Sequence, residues 1–106
     1  MDEIVDIEGA SGRAYRFKRE TEASTLSGSG NFILISNKDK RTVACSGTTF
    51  DLSVALRFWR EMPDHEISTS FYTRRNVTKA MRQAEHDDIC LKHTPEMVIF
   101  EFDGSR

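Results

Sequence analysis

Two histidines and a cysteine near the C-terminal end of the chain are the residue types best suited to binding a transition metal. His86, Cys90 and His93 are four and then three residues apart, which places them on one side of a helix. Imidazole and thiolate are good zinc ligands, and Asp87 or Glu96 could complete a tetrahedral set. The spacing matches no established zinc signature, and Cys90 could instead point into the core. Zinc binding is therefore the less favoured interpretation.

Three acidic residues on the same segment could form a magnesium site. Glu85, Asp87 and Asp88 supply carboxylates, the ligands that Mg²⁺ prefers. Neighbouring residues on a helix point in different directions, however, so Asp87 and Asp88 do not converge on one ion. A solvated acidic helix face is the favoured interpretation of these residues.

The second thiol, Cys45, is a candidate nucleophile by residue type alone. A cysteine attacks a substrate only when a neighbouring base or cation lowers the pKa of its thiol. No residue in the sequence places a base beside Cys45, and the preceding Val43 and Ala44 indicate a buried strand. We therefore predict that Cys45 is a small core residue.

Six cations are candidates for contacts with a nucleic-acid backbone. They are Arg57, Arg60, Arg74, Arg75, Lys79 and Arg82. If the two main helices pack on the same side of the sheet, these cations could form one basic face for phosphate groups, and Tyr72 could stack on a base. The alternative is that they are solvated surface residues, partly paired with Glu61, Glu85 and Asp88.

The composition bounds the class of protein. The 106 residues suffice for one domain, which we assign to residues 1–106. No apolar run approaches the roughly 20 residues that span a membrane, and the acidic start lacks the features of a signal peptide. The net charge of −2 gives no global attraction to nucleic acid, so such binding would need a local basic patch. Two cysteines in apolar stretches favour reduced thiols and a cytoplasmic location.

Alternating and continuous apolar runs predict six strands. They lie at Glu3–Glu8, Ala14–Arg19, Asn31–Ser36, Arg41–Ser46, Ile67–Thr73 and Met97–Phe102. The first two form a β-hairpin over residues 3–19, and the Ser/Gly-rich Thr21–Gly30 is a loop whose context is wrong for phosphate binding. Alternation in the last strand places Val98, Phe100 and Phe102 on one side. The predicted fold is α+β, with a mixed or antiparallel sheet, two main helices, an N-terminal β-hairpin and a C-terminal strand.

The first helix follows a strand that is expected to stop at Gly47. Thr49 or Asp51 provides the N-cap, and the helix ends by Met62 because Pro63 cannot continue it. Phe58 is expected to remain partly exposed. The predicted inward face comprises Leu52, Ala55, Leu56 and Trp59.

The second helix is predicted over Val77–Lys92. Asn76 is a good N-cap residue, and Pro95 breaks the helix at its other end. Apolar residues recur at helical spacing and define the predicted inward face, which comprises Val77, Ala80, Met81, Ala84 and Leu91.

The order of these elements and the residues at their corners resemble the GIY-YIG nuclease superfamily over about residues 30–97. Gly30-Asn31-Phe32 stands at the Gly-Ile-Tyr strand, and Cys45-Ser46-Gly47 stands at the Tyr-Ile-Gly strand. Thr48–Leu52 is similar to the following turn into the helix. Arg82-Gln83-Ala84-Glu85 is similar to the family's later helix, and Pro95 to the proline that ends it.

The resemblance implies a site in which two tyrosines and an arginine surround a phosphate while a glutamate holds a divalent metal. The tyrosine positions are occupied by Phe32 and Cys45, and the arginine position falls near Ala55, with Arg57 the nearest cation. Glu85 alone matches, as a weak metal ligand. One carboxylate cannot both activate a nucleophile and stabilise charge in the transition state, so the resemblance implies a nuclease-like scaffold without the nuclease reaction.

Three functions follow from this interpretation. The first is a catalytically degenerate binding module with nucleic acid as the first candidate partner. The second is a divergent phosphodiesterase or endonuclease that uses Mg²⁺ at Glu85, with Tyr72 or Arg57 in rearranged roles. The third is a protein-interaction domain whose edge strand, or an exposed Phe58, contacts a partner or a second copy.

Overall fold

The computed structural model describes residues 3–104, so two residues of the predicted domain at each end lie outside the described residues. Within these residues, four strands come first, and two helices, a strand, a third helix and a last strand follow. In order they are β1 (Ile4–Glu8), β2 (Ala14–Glu20), β3 (Gly30–Ser36), β4 (Val43–Thr49), α1 (Leu52–Arg60), α2 (His65–Ser68), β5 (Thr69–Arg75), α3 (Lys79–His93) and β6 (Met97–Phe102). The predicted α+β class, the N-terminal hairpin and the C-terminal strand are confirmed.

The six strands form one mixed sheet in the order β1-β2-β5-β3-β4-β6. Every neighbouring pair is antiparallel except β4 and β6, which run parallel. Strand β3 lies between β5 and β4, and its residues are buried on both sides of the sheet. This confirms that the continuous apolar run of β3 is a fully buried strand.

The two longer helices cover opposite faces of the sheet. Phe32 and Leu34 of β3 pack with α1, whereas Ile33 and Ile35 belong to the core on the other face, which includes Ile89 of α3. We call these the α1 face and the α3 face. The topology explains the arrangement, because the β4-α1-β5 and β5-α3-β6 crossovers join parallel strands while moving in opposite directions across the sheet. Since such crossovers share one hand, their helices must lie on opposite faces.

Helix α1 follows the sequence prediction closely. The carboxylate of Asp51 accepts a hydrogen bond from the Ser53 amide at 3.0 Å and caps the helix. The predicted inward face is buried. The expectation that Phe58 is partly exposed is wrong, because its ring packs 5.2 Å from the ring of Phe102, between centroids. The last strand thus covers a residue that the helix by itself would leave open.

Helix α3 is oriented in the opposite sense to the prediction. All five residues of the predicted inward face are exposed, including Val77 at 85% and Leu91 at 74%. The buried residues are Arg82, Glu85, His86 and Ile89. Asn76 is not the N-cap; Thr78 occupies that position, and the side chain of Asn76 binds within the domain instead.

Gly47 lies inside β4 rather than at its end. It pairs with Phe32 of β3, and a Cβ atom at this position would lie 2.3 Å from Cζ of that ring. The glycine is therefore required because an aromatic ring lies directly against the backbone, and not because the chain turns there.

The last two elements of the sheet also depart from the simple alternation. The predicted strand at Ile67 begins instead at Thr69, because residues 65–68 form the short helix α2 and leave Ile67 exposed.

In β6, Glu101 has a φ of 48°, which breaks the alternation of side chains along the strand. Phe102 therefore packs on the α1 face, whereas Val98 and Phe100 remain exposed on the other side, so the prediction of one shared side is wrong.

Candidate functional site

Glu85 lies at the centre of a polar network between α3 and the sheet. Arg74 of β5 donates from Nε to Oε1 of Glu85 at 2.7 Å and from Nη2 to Oε2 at 3.3 Å. Asn76 Nδ2 donates to the same Oε1 at 3.0 Å and to Oδ1 of Asn31 at 3.1 Å. These donors compensate the buried carboxylate. A metal ion at Glu85 would have to displace the guanidinium of Arg74.

A second ion pair holds the start of α3 against the last strand. Arg82 donates from Nη2 and Nε to the two carboxylate oxygens of Glu101, at 2.7 and 3.0 Å. It also donates from Nη1 to the carbonyl oxygen of Val77 at 3.0 Å. Hydrogen bonding to Arg82 lowers the pKa of Glu101. Glu101 has a positive φ, and its carboxylate points toward Arg82 of α3.

A buried serine–histidine–cysteine group lies farther along α3. The Oγ of Ser46 is 3.0 Å from Nδ1 of His86, and Sγ of Cys90 is 3.6 Å from Nε2 of the same ring. Burial lowers the pKa of His86 and raises the pKa of the Cys90 thiol. Ser46 and His86 are about 1–2% exposed, so this pair offers no access to a substrate.

The three candidate zinc ligands on α3 do not converge. His93 turns away from His86 and Cys90 and places Nε2 2.8 Å from the carbonyl oxygen of Glu8 in the hairpin. Within residues 3–104, the group of three potential metal ligands that do converge is Glu22, His65 and Glu66.

The positions that the GIY-YIG resemblance singles out lie on different faces of the sheet. Phe32 and Cys45 are buried on the α1 face, and Glu85 lies on the α3 face. Burial raises the pKa of the Cys45 thiol to about 12, in keeping with a core residue. Ala55 is fully buried, and Arg57 points outward from α1. The sheet therefore separates the one matching carboxylate from the other four positions.

The six basic candidates do not share a face. Arg57 and Arg60 lie on α1 and Arg75 lies on the α1 face, whereas Arg74, Lys79 and Arg82 lie on the opposite face. A single basic face was expected only if both main helices packed on the same side of the sheet. They pack on opposite sides, so this face is not formed. Arg74 and Arg82 are also held in internal ion pairs. Tyr72 is buried in the α3-face core.

An exposed apolar surface is the feature that sequence reasoning assigned to the wrong side. The α3 outer surface comprises Val77, Ala80, Met81, Ala84 and Leu91. Three residues of this surface, Met81, Ala84 and Leu91, line one wall of a groove of about 510 Å³. Ser11, Arg13 and Tyr15 of the hairpin line its other wall. The sequence does contain a signal for the observed orientation. Arg82, Glu85 and His86 share the other side of α3, and each can pair with an oppositely charged or hydrogen-bonding residue elsewhere in the chain.

Comparison with protein-family models, curated proteins and solved structures finds no match for this chain. The resemblance to GIY-YIG nucleases therefore stays a prediction from the sequence. Between residues 3 and 104, no helix is long and apolar enough to cross a membrane.

Proposed function

We propose that this chain is a protein-binding module whose docking site is the α3 outer surface and whose partner is a second copy of the chain. The observation that carries the proposal is the orientation of α3. A helix on the surface of a domain ordinarily buries its apolar stripe and exposes its polar side. Here the polar side is buried, and the apolar stripe faces outward. A group of large apolar side chains exposed on one side of a helix is typical of an interaction site.

The spacing within the stripe favours another helix as the occupant. Within α3, Met81, Ala84 and Leu91 are three and seven residues apart, which places them along one side of the helix, with Asp88 between the last two. A two-fold dimer presents the same surface from both copies, so each apolar residue would meet a surface of the same kind. Ala80 and Ala84 are small and allow two antiparallel helices to approach closely near the middle of the stripe.

The groove beside α3 provides complementary space and charge. In an antiparallel pair, a long side chain such as Met81 of one copy would enter the groove of the other. Arg13 and Asp87 both line this groove. The hydrogen bonds from Ser11 lower the pKa of the Asp88 carboxyl, and Arg13 lies close enough to that carboxyl to help lower it. Opposite charges at the edge of an apolar interface support orientation more than affinity. In the dimer, Arg13 of one copy would pair with Asp87 of the other.

The proposal predicts a mass in solution that depends on concentration. At increasing concentration, sedimentation velocity should show the full chain shifting from one copy to two. Met81→Glu and Leu91→Glu should each weaken association about tenfold or more, because each would bury a charge without a partner.

Ile67→Glu is the matched control, because Ile67 is 78% exposed on α2, away from the α3 outer surface. It should leave association unchanged. A wild-type chain that remains a monomer at all concentrations would overturn the proposal, as would equal loss of association in Ile67→Glu.

The proposal includes a cytoplasmic location, which is supported by the free thiols of Cys45 and Cys90.

Nucleic-acid binding is the second candidate function, and its candidate surface is limited to the α1 face. There, Arg75 and Lys18 line a cleft of about 410 Å³, and Arg57 and Arg60 point outward from the helix. A Mg²⁺-dependent reaction at Glu85 is less well supported, since Arg74 already occupies that carboxylate.

A further inference from the structure

A mixed set of nitrogen and oxygen ligands converges beside α2, away from the α3 outer surface. Nε2 of His65 lies 3.0 Å from a carboxylate oxygen of Glu22 and 3.6 Å from one of Glu66. All three ligand atoms lie within 4.8 Å of one another. The 21–29 loop contributes Glu22, and α2 contributes the other two, so the set joins two segments that are distant in sequence.

The separations between these atoms suit a metal ion. A tetrahedral Zn²⁺ binds nitrogen and oxygen ligands at about 2.0–2.1 Å, which places the ligand atoms about 3.3 Å apart. The two distances from His65 lie on either side of this value. Glu22 and Glu66 are about half exposed, so the set is open to an ion from solvent and leaves room for a water molecule as a fourth ligand.

The electrostatics of the set also favour a cation. The carboxyl groups of Glu22 and Glu66 lie close together, since their ligand atoms are within 4.8 Å of each other. Two carboxylates in contact repel each other unless a proton or a cation lies between them. The guanidinium of Arg60 lies nearby, but it donates to the backbone carbonyl oxygen of Glu22, at 3.2 Å, and not to the carboxylate.

We propose that Glu22, His65 and Glu66 form a binding site for a divalent first-row transition metal, with Zn²⁺ as the ion that suits this ligand set best. An imidazole nitrogen disfavours Mg²⁺ and Ca²⁺, which take oxygen ligands. The bound ion ties the 21–29 loop to α2. This site is independent of the α3 outer surface and of the polar network around Glu85.

The site contains its own spectroscopic reporter. Trp59 is the only tryptophan, and its ring lies edge-on to the ring of His65 with centroids 4.7 Å apart. Titration of the full chain with ZnCl₂ should therefore change tryptophan fluorescence in a saturable manner, and calorimetry should give one ion per chain. Zn²⁺ should also raise the midpoint of thermal unfolding, because an ion that binds the folded chain stabilises it.

Glu22→Gln and His65→Gln should each weaken the affinity for Zn²⁺ about tenfold or more. His93→Gln is the matched control, because it removes an imidazole that binds the hairpin instead. Glu22 lies in an exposed loop, so its variant should retain the wild-type circular dichroism spectrum. The proposal is overturned if ZnCl₂ produces no saturable signal, or if Glu22→Gln binds Zn²⁺ as tightly as the wild-type chain.

Discussion

At the scale of single residues, the environment of Glu85 decides what its carboxylate can do. A glutamate on a helix is a plausible metal ligand, but here its oxygens accept hydrogen bonds from Arg74 and Asn76. Both partners are partly or fully buried with it. Glu85 therefore stabilises the packing of α3 against the sheet, in the manner of a compensated buried charge.

Glu85→Gln should lower the free energy of unfolding by about 2 kcal/mol, because it leaves the guanidinium of Arg74 without its carboxylate. Urea unfolding would measure the difference. Glu96→Gln is the control, since Glu96 is exposed beyond the end of α3 and should change stability little. Equal stability of the two variants would contradict the assignment.

The buried His86 makes stability depend on pH. Burial lowers its pKa in the folded chain, whereas in the unfolded chain the pKa is near its ordinary value of about 6.5. The unfolded state therefore takes up a proton first on acidification. The contribution of neutral His86 should be fully present above pH of about 6.5 and decline as the pH falls from there toward the lowered pKa.

Urea unfolding at several pH values between about 5 and 7.5 would test this, since most carboxylates titrate lower. His86→Gln should flatten the pH dependence in that window, whatever its effect on stability at neutral pH. His93→Gln retains the buried imidazole and should keep the slope. A slope that persists in His86→Gln would mean that another group is responsible.

At the scale of elements, β3 and β4 depend on one close contact between a ring and a backbone. Phe32 lies against Gly47, where the neighbouring strand has no side chain. A strand interior ordinarily disfavours glycine, so this position is explained by the space the ring needs. The same ring lies 6.1 Å from Phe71, between centroids, and so links three strands of the α1 face.

Gly47→Ala should destabilise the fold by about 1–3 kcal/mol, because the added methyl group would force the ring of Phe32 to move. Thermal or urea unfolding would give the value. Phe32→Leu provides the control through a double-mutant cycle, since a smaller side chain should reduce the cost of the alanine. Additive effects of the two substitutions would contradict the contact.

At the scale of the whole molecule, the crossovers distribute the charged and apolar residues over two separate faces. The hairpin turn is tied to α3 through Asp88, which accepts hydrogen bonds from Ser11 and from the hydroxyl of Tyr15 at 2.7 Å. The basic candidates are divided between the two faces. The apolar residues of α3 remain on the outside, where another chain can reach them.

The elements that depend on local spacing could be predicted from the sequence alone. Alternation identified the hairpin, a continuous apolar run identified the buried β3, and a capping residue with an apolar stripe identified α1. These features follow from the periodicity of strands and helices, which neighbouring residues alone define. The α+β class followed from their order.

Which side of α3 is buried depends on contacts with strands that are distant in sequence. The helix spacing of Val77, Met81, Ala84 and Leu91 specifies a shared face, but it does not say whether that face points inward. Arg74 on β5 and Glu101 on β6 pair with Glu85 and Arg82, and these long-range ion pairs turn the polar side of the helix toward the sheet. Because such partners are distant in sequence, the candidate docking surface became visible only when the strands were in place.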